Sequence, residues 1–492
     1  MRLSIPLLRS ATPALPPLHG HPSSRRGAAS FVVPALGLFL AAFFGLATAV
    51  LPWQFLVGLL GLPVLLLVGA AMPTLLFIAA LLLLCGIMPE FIMAALPLGG
   101  ATLRPAELVL IFCFVAVMAR VLLGRIDLLS RLKPLRLPLF MLICGFTIGL
   151  VKGKLLANNT LALADARQYV GWLALPIGLW FAAVHPGRLQ RILVGIALLA
   201  ASLMILQLGL GVHLIFGFRG AEYLSKEFTD VTRSAIGGGL FLLGYAAYRL
   251  FLHACDGERW RWLALLGCLI AIGGIVASFN RAIWAGFAVG SLMLLILKPR
   301  TRHSTVMPFM VLLVGVCIGV AGLFVAKPRT ADAVVERVLS VQEEGRRGSS
   351  LGFRFDENQQ ALTALRASPI VGVGMGGEYK RVYRQLSTTG SFDTEITFIH
   401  NGYLSLWLKL GIFGLVLPAL LLFAGWRLRR ESLASGQLAG TAGFACLILL
   451  VVSMLTSADL STSSGTAAIG SILALMLSAR RKPDEESPVA PA

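Results

Sequence analysis

Apolar stretches of roughly 17 to 25 residues recur along almost the whole chain, and each, as a helix, is long enough to cross about 30 Å of hydrocarbon. About fourteen are recognisable, over 31–50, 54–71, 73–88, 106–123, 135–151, 167–184, 189–211, 234–252, 260–278, 281–297, 306–326, 400–425, 436–456 and 462–479. The pattern predicts an all-α fold, a polytopic membrane helix bundle of about 12–14 transmembrane helices with one large, partly helical extracytoplasmic loop. The uncharged run 51–88 is interrupted by Pro63 and Pro73 and reads as two helices or as one span plus a re-entrant piece. No period of 20 to 50 residues is present, which excludes a repeat array.

Composition excludes the soluble alternatives. The 492 residues are 57% hydrophobic and only 13% charged, with a mean hydropathy of +0.84. A globular chain carries roughly 25% charged residues, and a disordered one is poor in aliphatics. The seven cysteines stand singly in or beside apolar runs, without the spacing of a zinc site or a disulfide framework. A net charge of +19 raises nucleic acid as a partner until its location is considered. With the amino terminus in the cytoplasm, the inward-facing tails and loops hold 23 Lys/Arg against 7 Asp/Glu, which is +16 of the total. That asymmetry is the positive-inside signature, so no nucleic acid is expected. The first thirty residues lack an apolar core and read as a cytoplasmic tail before a retained helix.

The expected organisation is a basic cytoplasmic tail over 1–30, transmembrane helices 1–11 over 31–326, a large periplasmic loop over 327–399, helices 12–14 over 400–479 and a cytoplasmic tail over 480–492. The long loop has 10 basic and 9 acidic residues, and its length predicts internal structure. Within it, Asp356 to Arg366 places acidic residues first, Ala361, Leu362 and Leu365 at helical spacing, and Arg last, the pattern of a short amphipathic helix. Ser368-Pro369 ends that helix and the glycine-rich run 371–377 follows. The run lacks the Lys-Ser/Thr of a phosphate loop, and its glycines suit close backbone approach to the membrane surface or a substrate.

The candidates for chemistry are the few charged residues at the outer face. Arg233 lies in Thr232-Arg233-Ser234, Arg281 occupies the tight connection before the tenth span, and Arg354 precedes the loop helix. Guanidinium groups bind phosphate bidentately and stay charged when partly dehydrated, although an interfacial Arg also serves as a snorkelling anchor. His400 opens the twelfth span and suits proton acceptance from a hydroxyl, or alternatively helix capping. Asn401 follows it, and Tyr403 and Trp407 share its helix face, as substrate contacts or as an interfacial aromatic belt. Glu107, Lys409 and Asp459 lie in or at the ends of spans, where ionisable groups are costly. Lys409 falls on the helix face opposite His400, which argues against a shared site. No metal-ligand cluster and no Ser/His/Asp spacing is found.

Two segments resemble the O-antigen ligase and O-antigen polymerase (Wzy-type) superfamily. They are S-F-N-R-A-I-W-A-G-F at 278–287, and S-P-I-V-G-V-G-M-G-G at 368–377 followed by I-H-N-G-Y-L-S-L-W-L-K-L-G-I-F-G-L at 399–415. The likeness covers about 260–415 and implies a ligase/polymerase-like core over 260–425. It implies a GT-C-like, metal-independent glycosyltransferase of the bacterial inner membrane, needing no cofactor, that polymerises or ligates undecaprenyl-diphosphate-linked glycans at the periplasmic face. Exopolysaccharide, capsule, O-antigen and lipopolysaccharide synthesis all fall within that activity. The acceptor would be another glycan or the lipid A core, and the surroundings membrane lipid and other polysaccharide-assembly proteins. By the same resemblance Arg233, Arg281 and Arg354 hold the diphosphate and His400 activates the acceptor hydroxyl. A transporter or lipid-linked glycan flippase is the alternative, favoured by inverted repeats or paired mid-membrane charges, and neither is visible.

Overall fold

The computed structural model describes residues 71–87, 96–98, 101–124, 127–185, 187–211, 221–223, 231–234, 236–257, 260–297, 305–339, 350–386, 390–396 and 399–479. The chain divides into two units, Met1–Val64 and Leu65–Ala492, and the first lies outside the described residues. So do the expected tails, the span 31–50 and the span 54–71 up to residue 70.

The protein is an all-α polytopic membrane bundle. Among the described residues its α-helices of six residues or more are, in chain order, α1 (Pro73–Leu84), α2 (Pro105–Gly124), α3 (Arg136–Leu150), α4 (Ala162–Arg167), α5 (Ala174–Val184), α6 (Arg188–Leu210), α7 (Gly239–Cys255) and α8 (Arg261–Ala277). There follow α9 (Arg281–Leu297), α10 (Val306–Ala326), α11 (Pro328–Leu339), α12 (Ser350–Ala367), α13 (Gly402–Leu410), α14 (Ile412–Ala434), α15 (Ala439–Ser453) and α16 (Ser463–Ser478). Among the described residues five helices are long and apolar enough to cross a membrane alone, and six shorter apolar helices accompany them. Among the described residues three antiparallel hairpins decorate the connections: β1 (Leu96–Leu98) with β2 (Ala101–Leu103), β3 (Ala221–Tyr223) with β4 (Thr232–Ser234), and β5 (Lys380–Leu386) with β6 (Gly390–Ile396).

Helices in lipid gain nothing from hiding apolar surface from one another, so small residues that permit close contact decide who packs where. The central helix α16 reads SSGTAAIGSILALMLS and is buried from Ser463 to Leu477. Gly286 and Gly290 let α9 lie directly on α15. A Cβ at Gly286 would stand 2.6 Å from the Leu449 carbonyl, and one at Gly290 2.8 Å from that of Ala445. By contrast α10 buries only Pro308 and Leu312 and leaves much of its remaining surface exposed.

The twelfth span departs from expectation. It is not one helix over 400–425 but α13 and α14, separated at Gly411 with φ +67°. The glycine-rich run explains the break. Val373 N and Gly374 N both donate to the Leu408 carbonyl, and Ile412 N donates to Ile370 O at 2.8 Å. On its other side Met375 N donates to Gly149 O at 2.9 Å, where α3 passes into a π-helical turn, Val151–Leu156. A Cβ at Gly153 would lie 2.0 Å from the Met375 carbonyl. The glycines therefore serve backbone-to-backbone packing between α3 and α13. The loop is also richer than one short helix: α12 begins six residues before Asp356, and α11 and the β5–β6 hairpin precede and follow it.

Candidate functional site

His400 stands just ahead of α13. Asn401 caps that helix, its Oδ1 accepting from Tyr403 N at 3.0 Å and Leu404 N at 3.2 Å, so the backbone at residue 400 has a defined exit direction. The loop helix α12 lies across it through a small apolar cluster of Ala361, Leu365, Ile399, Leu404 and Leu408. Trp407 extends the same contact by donating its indole N–H to Pro369 O at 2.7 Å. This packing brings Glu357 to His400: Nδ1 lies 2.9 Å from Oε2, with the carboxylate 2% exposed and the imidazole 31% exposed. An ionised carboxylate can only accept, so it favours the proton on Nδ1, and in the neutral ring that leaves Nε2 as the acceptor. Burial, and next the Glu357 charge, push the Tyr379 phenol beside this pair above its ordinary value. Arg354 occupies α12 one turn before Glu357, at the i, i+3 spacing that puts both on one face.

Arg281 begins α9, and its turn is heavily tethered. Asn280 Oδ1 accepts from Ala282 N at 3.1 Å, Asn280 N donates to Ser278 Oγ at 3.2 Å, and Trp284 Nε1 donates to Ile275 O at 2.8 Å. Between them Phe279 is fully buried at φ +49°, a region that side chains other than glycine rarely occupy and that neighbours must enforce. Phe279 packs with Val231 and Ala333. Val231 is two residues before Arg233 on β4, and Ala333 belongs to α11, whose Arg337 donates through Nε to Phe279 O at 3.4 Å. That cluster assembles the strand of Arg233, the turn of Arg281 and α11 in one place.

The two assemblies share one end of the bundle. The antiparallel contact of Gly290 with Ala445 and Gly286 with Leu449 carries Arg281 to the level of Ser453 and Met454. There Gly402 N donates to Met454 O at 2.7 Å and Tyr403 Oη to Val451 O at 2.7 Å. The side chains of Asn401 and Tyr403 are thus engaged in holding α13. Below them Asp459 accepts from Ser453 Oγ and Ser457 Oγ, each at 2.9 Å, and burial raises its pKa above the usual carboxylate value.

The remaining flagged ions belong to the scaffold. Lys409 Nζ meets Asp165 Oδ1 at 2.8 Å with both side chains buried, and Asp165 Oδ2 accepts from Gly376 N at 2.8 Å. Glu107 accepts from Arg104 N and pairs with Arg167 Nε, both at 3.2 Å. Among the described residues no three His, Cys, Asp or Glu side chains gather as metal ligands would. Sequence reasoning missed Glu357, Arg337 and Asp165. For Glu357 a signal existed: it lies four residues before Ala361 and eight before Leu365, a carboxylate on the apolar stripe of an amphipathic helix.

Comparison with known proteins adds a family to this geometry. An uncharacterized protein of Haemophilus influenzae is 33% identical over 87 residues, which cover 17% of this chain and 22% of that protein. The chain therefore spans under a quarter of that relative's length. The family model described as O-antigen ligase matches residues 266–419, from within α8 to within α14, a segment that holds Arg281, Arg337, Arg354, Glu357 and His400 together. Over that segment the chain is similar to the O-antigen ligase family.

Proposed function

We propose that the chain is a glycosyltransferase that transfers a glycan from undecaprenyl diphosphate to a sugar hydroxyl at the periplasmic face of the bacterial inner membrane. The observation that carries this reading is the His400–Glu357 pair standing at the same bundle end as the Arg281 turn. His400 Nε2 takes the proton of the acceptor hydroxyl while its oxygen attacks the anomeric carbon. The bond from that carbon to the diphosphate oxygen breaks, and undecaprenyl diphosphate leaves with the electron pair. Glu357 holds the imidazole in the correct tautomer and steadies the imidazolium that forms. Arg281, with Arg233 and Arg354, bears the diphosphate and the charge that develops on it. Asn401 and Tyr403 line the acceptor side through the backbone they fix. Since the leaving group is already good, positioning, charge and one base suffice.

The acceptor is a second lipid-linked glycan, which makes the protein a polymerase of exopolysaccharide or capsule type; lipid A core as acceptor would make it a ligase. The test is purified protein in proteoliposomes with lipid-linked glycan, offered each acceptor in turn. Transfer by the wild type and its loss in both His400→Ala and Arg281→Ala supports the reading. Full transfer by both variants, or movement of the lipid-linked glycan across the bilayer without transfer, overturns it.

A further inference from the structure

The spans α7, α8, α9 and α10 leave between them a cavity of about 270 Å3 within the membrane. Its walls are apolar, and the polar atoms on them are already engaged. Tyr248 Oη donates to Phe287 O at 3.0 Å and lies within hydrogen-bonding reach of the Ser291 hydroxyl, while Cys268 Sγ donates to Ala247 O. Water gains nothing there, and an apolar space of this size can accept an apolar guest. One wall is α10, the helix with the least buried surface, so a chain can enter from the lipid.

The position of the cavity identifies the chain. On α9 the residues Trp284, Phe287, Ser291 and Leu295 follow one another at helical spacing and form a single stripe. The stripe begins where Trp284 packs on Phe279 beside Arg281 and descends into the cavity. At ~1.5 Å per residue the lining runs from about 9 to about 21 Å beneath Arg281. The stacked rings of Tyr248 and Phe287, 5.1 Å apart and 9° from parallel, make a stiff flat wall. Moving an apolar chain from bilayer to cavity yields no hydrophobic gain, only contact and shape, so selectivity rests on how well the chain fits. An isoprenoid chain, with a methyl on every unit, differs in shape from a straight acyl chain, so contact can distinguish the two.

We propose that this cavity seats the isoprenoid tail of the carrier lipid whose diphosphate is held at Arg281, and so fixes the angle at which the diphosphate meets the arginines. The proposal rests on the glycosyltransferase reading above. A long-chain prenyl diphosphate bearing a diazirine, photolysed with the whole protein in proteoliposomes, is expected to label peptides of α9 from Trp284 to Leu295 and of α10 from Phe309 to Val316. Unlabelled prenyl diphosphate should abolish the labelling and phosphatidylethanolamine should not. Labelling elsewhere, or equal competition by phosphatidylethanolamine, overturns the proposal; the latter makes the cavity a seat for bilayer acyl chains. Ser291→Phe fills the space and should reduce the wild type's preference for a long-chain over a short-chain donor, expected at roughly fivefold, toward one. If that variant fails to fold, the labelling decides. Wild-type transfer without cavity labelling removes this proposal alone, whereas absence of transfer removes the proposed function.

Discussion

Glu357→Gln isolates the charge of the buried carboxylate from its shape. The amide oxygen still accepts from Nδ1, so the ring keeps its orientation and the α12–α13 cluster keeps its packing. What disappears, in the proposed transfer, is the attraction between the carboxylate and the imidazolium formed when His400 takes the proton. At the observed 2.9 Å separation that attraction is ~6 kcal/mol for an effective dielectric of about 20. Solvent at the partly exposed ring screens about half of it, which leaves roughly 3 kcal/mol, or about a hundredfold in rate. Glycan transfer in proteoliposomes under saturating donor should therefore show kcat lowered by about 30- to 100-fold, with KM within about twofold and an unchanged unfolding temperature. His400→Ala should fall further, by the ~10²- to 10⁴-fold ascribed to a positioned general base. A Glu357→Gln enzyme within threefold of wild-type kcat would refute the coupling, as would a parallel loss of activity and folded protein.

Arg281→Lys keeps the charge and removes the fork. The donor KM should rise about tenfold with kcat less affected, and an unchanged KM would reduce Arg281 to a point charge. Lys409→Met strands the Asp165 carboxylate inside the bundle and should cost about 3–5 kcal/mol, read as a lowered unfolding temperature in detergent. Adding Asp165→Asn should recover more than half of that loss, and a single variant as stable as wild type would show that the pair carries no such burden. For Asp459, whose pKa burial raises, the folded chain holds the proton more tightly than the unfolded chain. The stabilisation is complete below the unfolded value of about 4 and is lost as pH rises through the folded value. Asp459→Asn has no proton to lose, so its unfolding temperature should gain on wild type between pH 4 and pH 8. A constant difference across that range would contradict the assignment.

The spans were legible because length and apolarity are local properties that the bilayer reads directly. From the third span onward the expected stretches fall on helical segments, apart from the division of the twelfth at Gly411, and the loop helix appears where acidic and basic residues bracket an apolar spacing. The break at Gly411 was not legible. A glycine in an apolar run is unremarkable by itself, and this one matters because the backbone of Ile370 and Val371, forty residues away, occupies the space its Cβ would need. The same holds for Gly149 and Gly153, whose partners are the carbonyls of Lys409 and Met375. Pairings of that kind are properties of the assembled bundle, and no pattern along one segment contains them.

The candidate site shows a related division. Residue chemistry marked His400, Arg281, Arg233 and Arg354, because cations and an imidazole are scarce in such a chain. What assembles the sequences around them is apolar: Val231, Phe279 and Ala333 join the strand of Arg233 to the Arg281 turn, and Ile399 with Leu404 seats α12 against His400. Side chains without any chemistry therefore set the spacing of those that have it. In a bilayer, where apolar surface supplies little drive for association, that spacing depends on fit. Phe279 is the sharpest instance, since its left-handed backbone persists only while the cluster around it is intact. Loss of that cluster would let the turn relax and swing Arg281 away from the end of α15 without altering any charged residue.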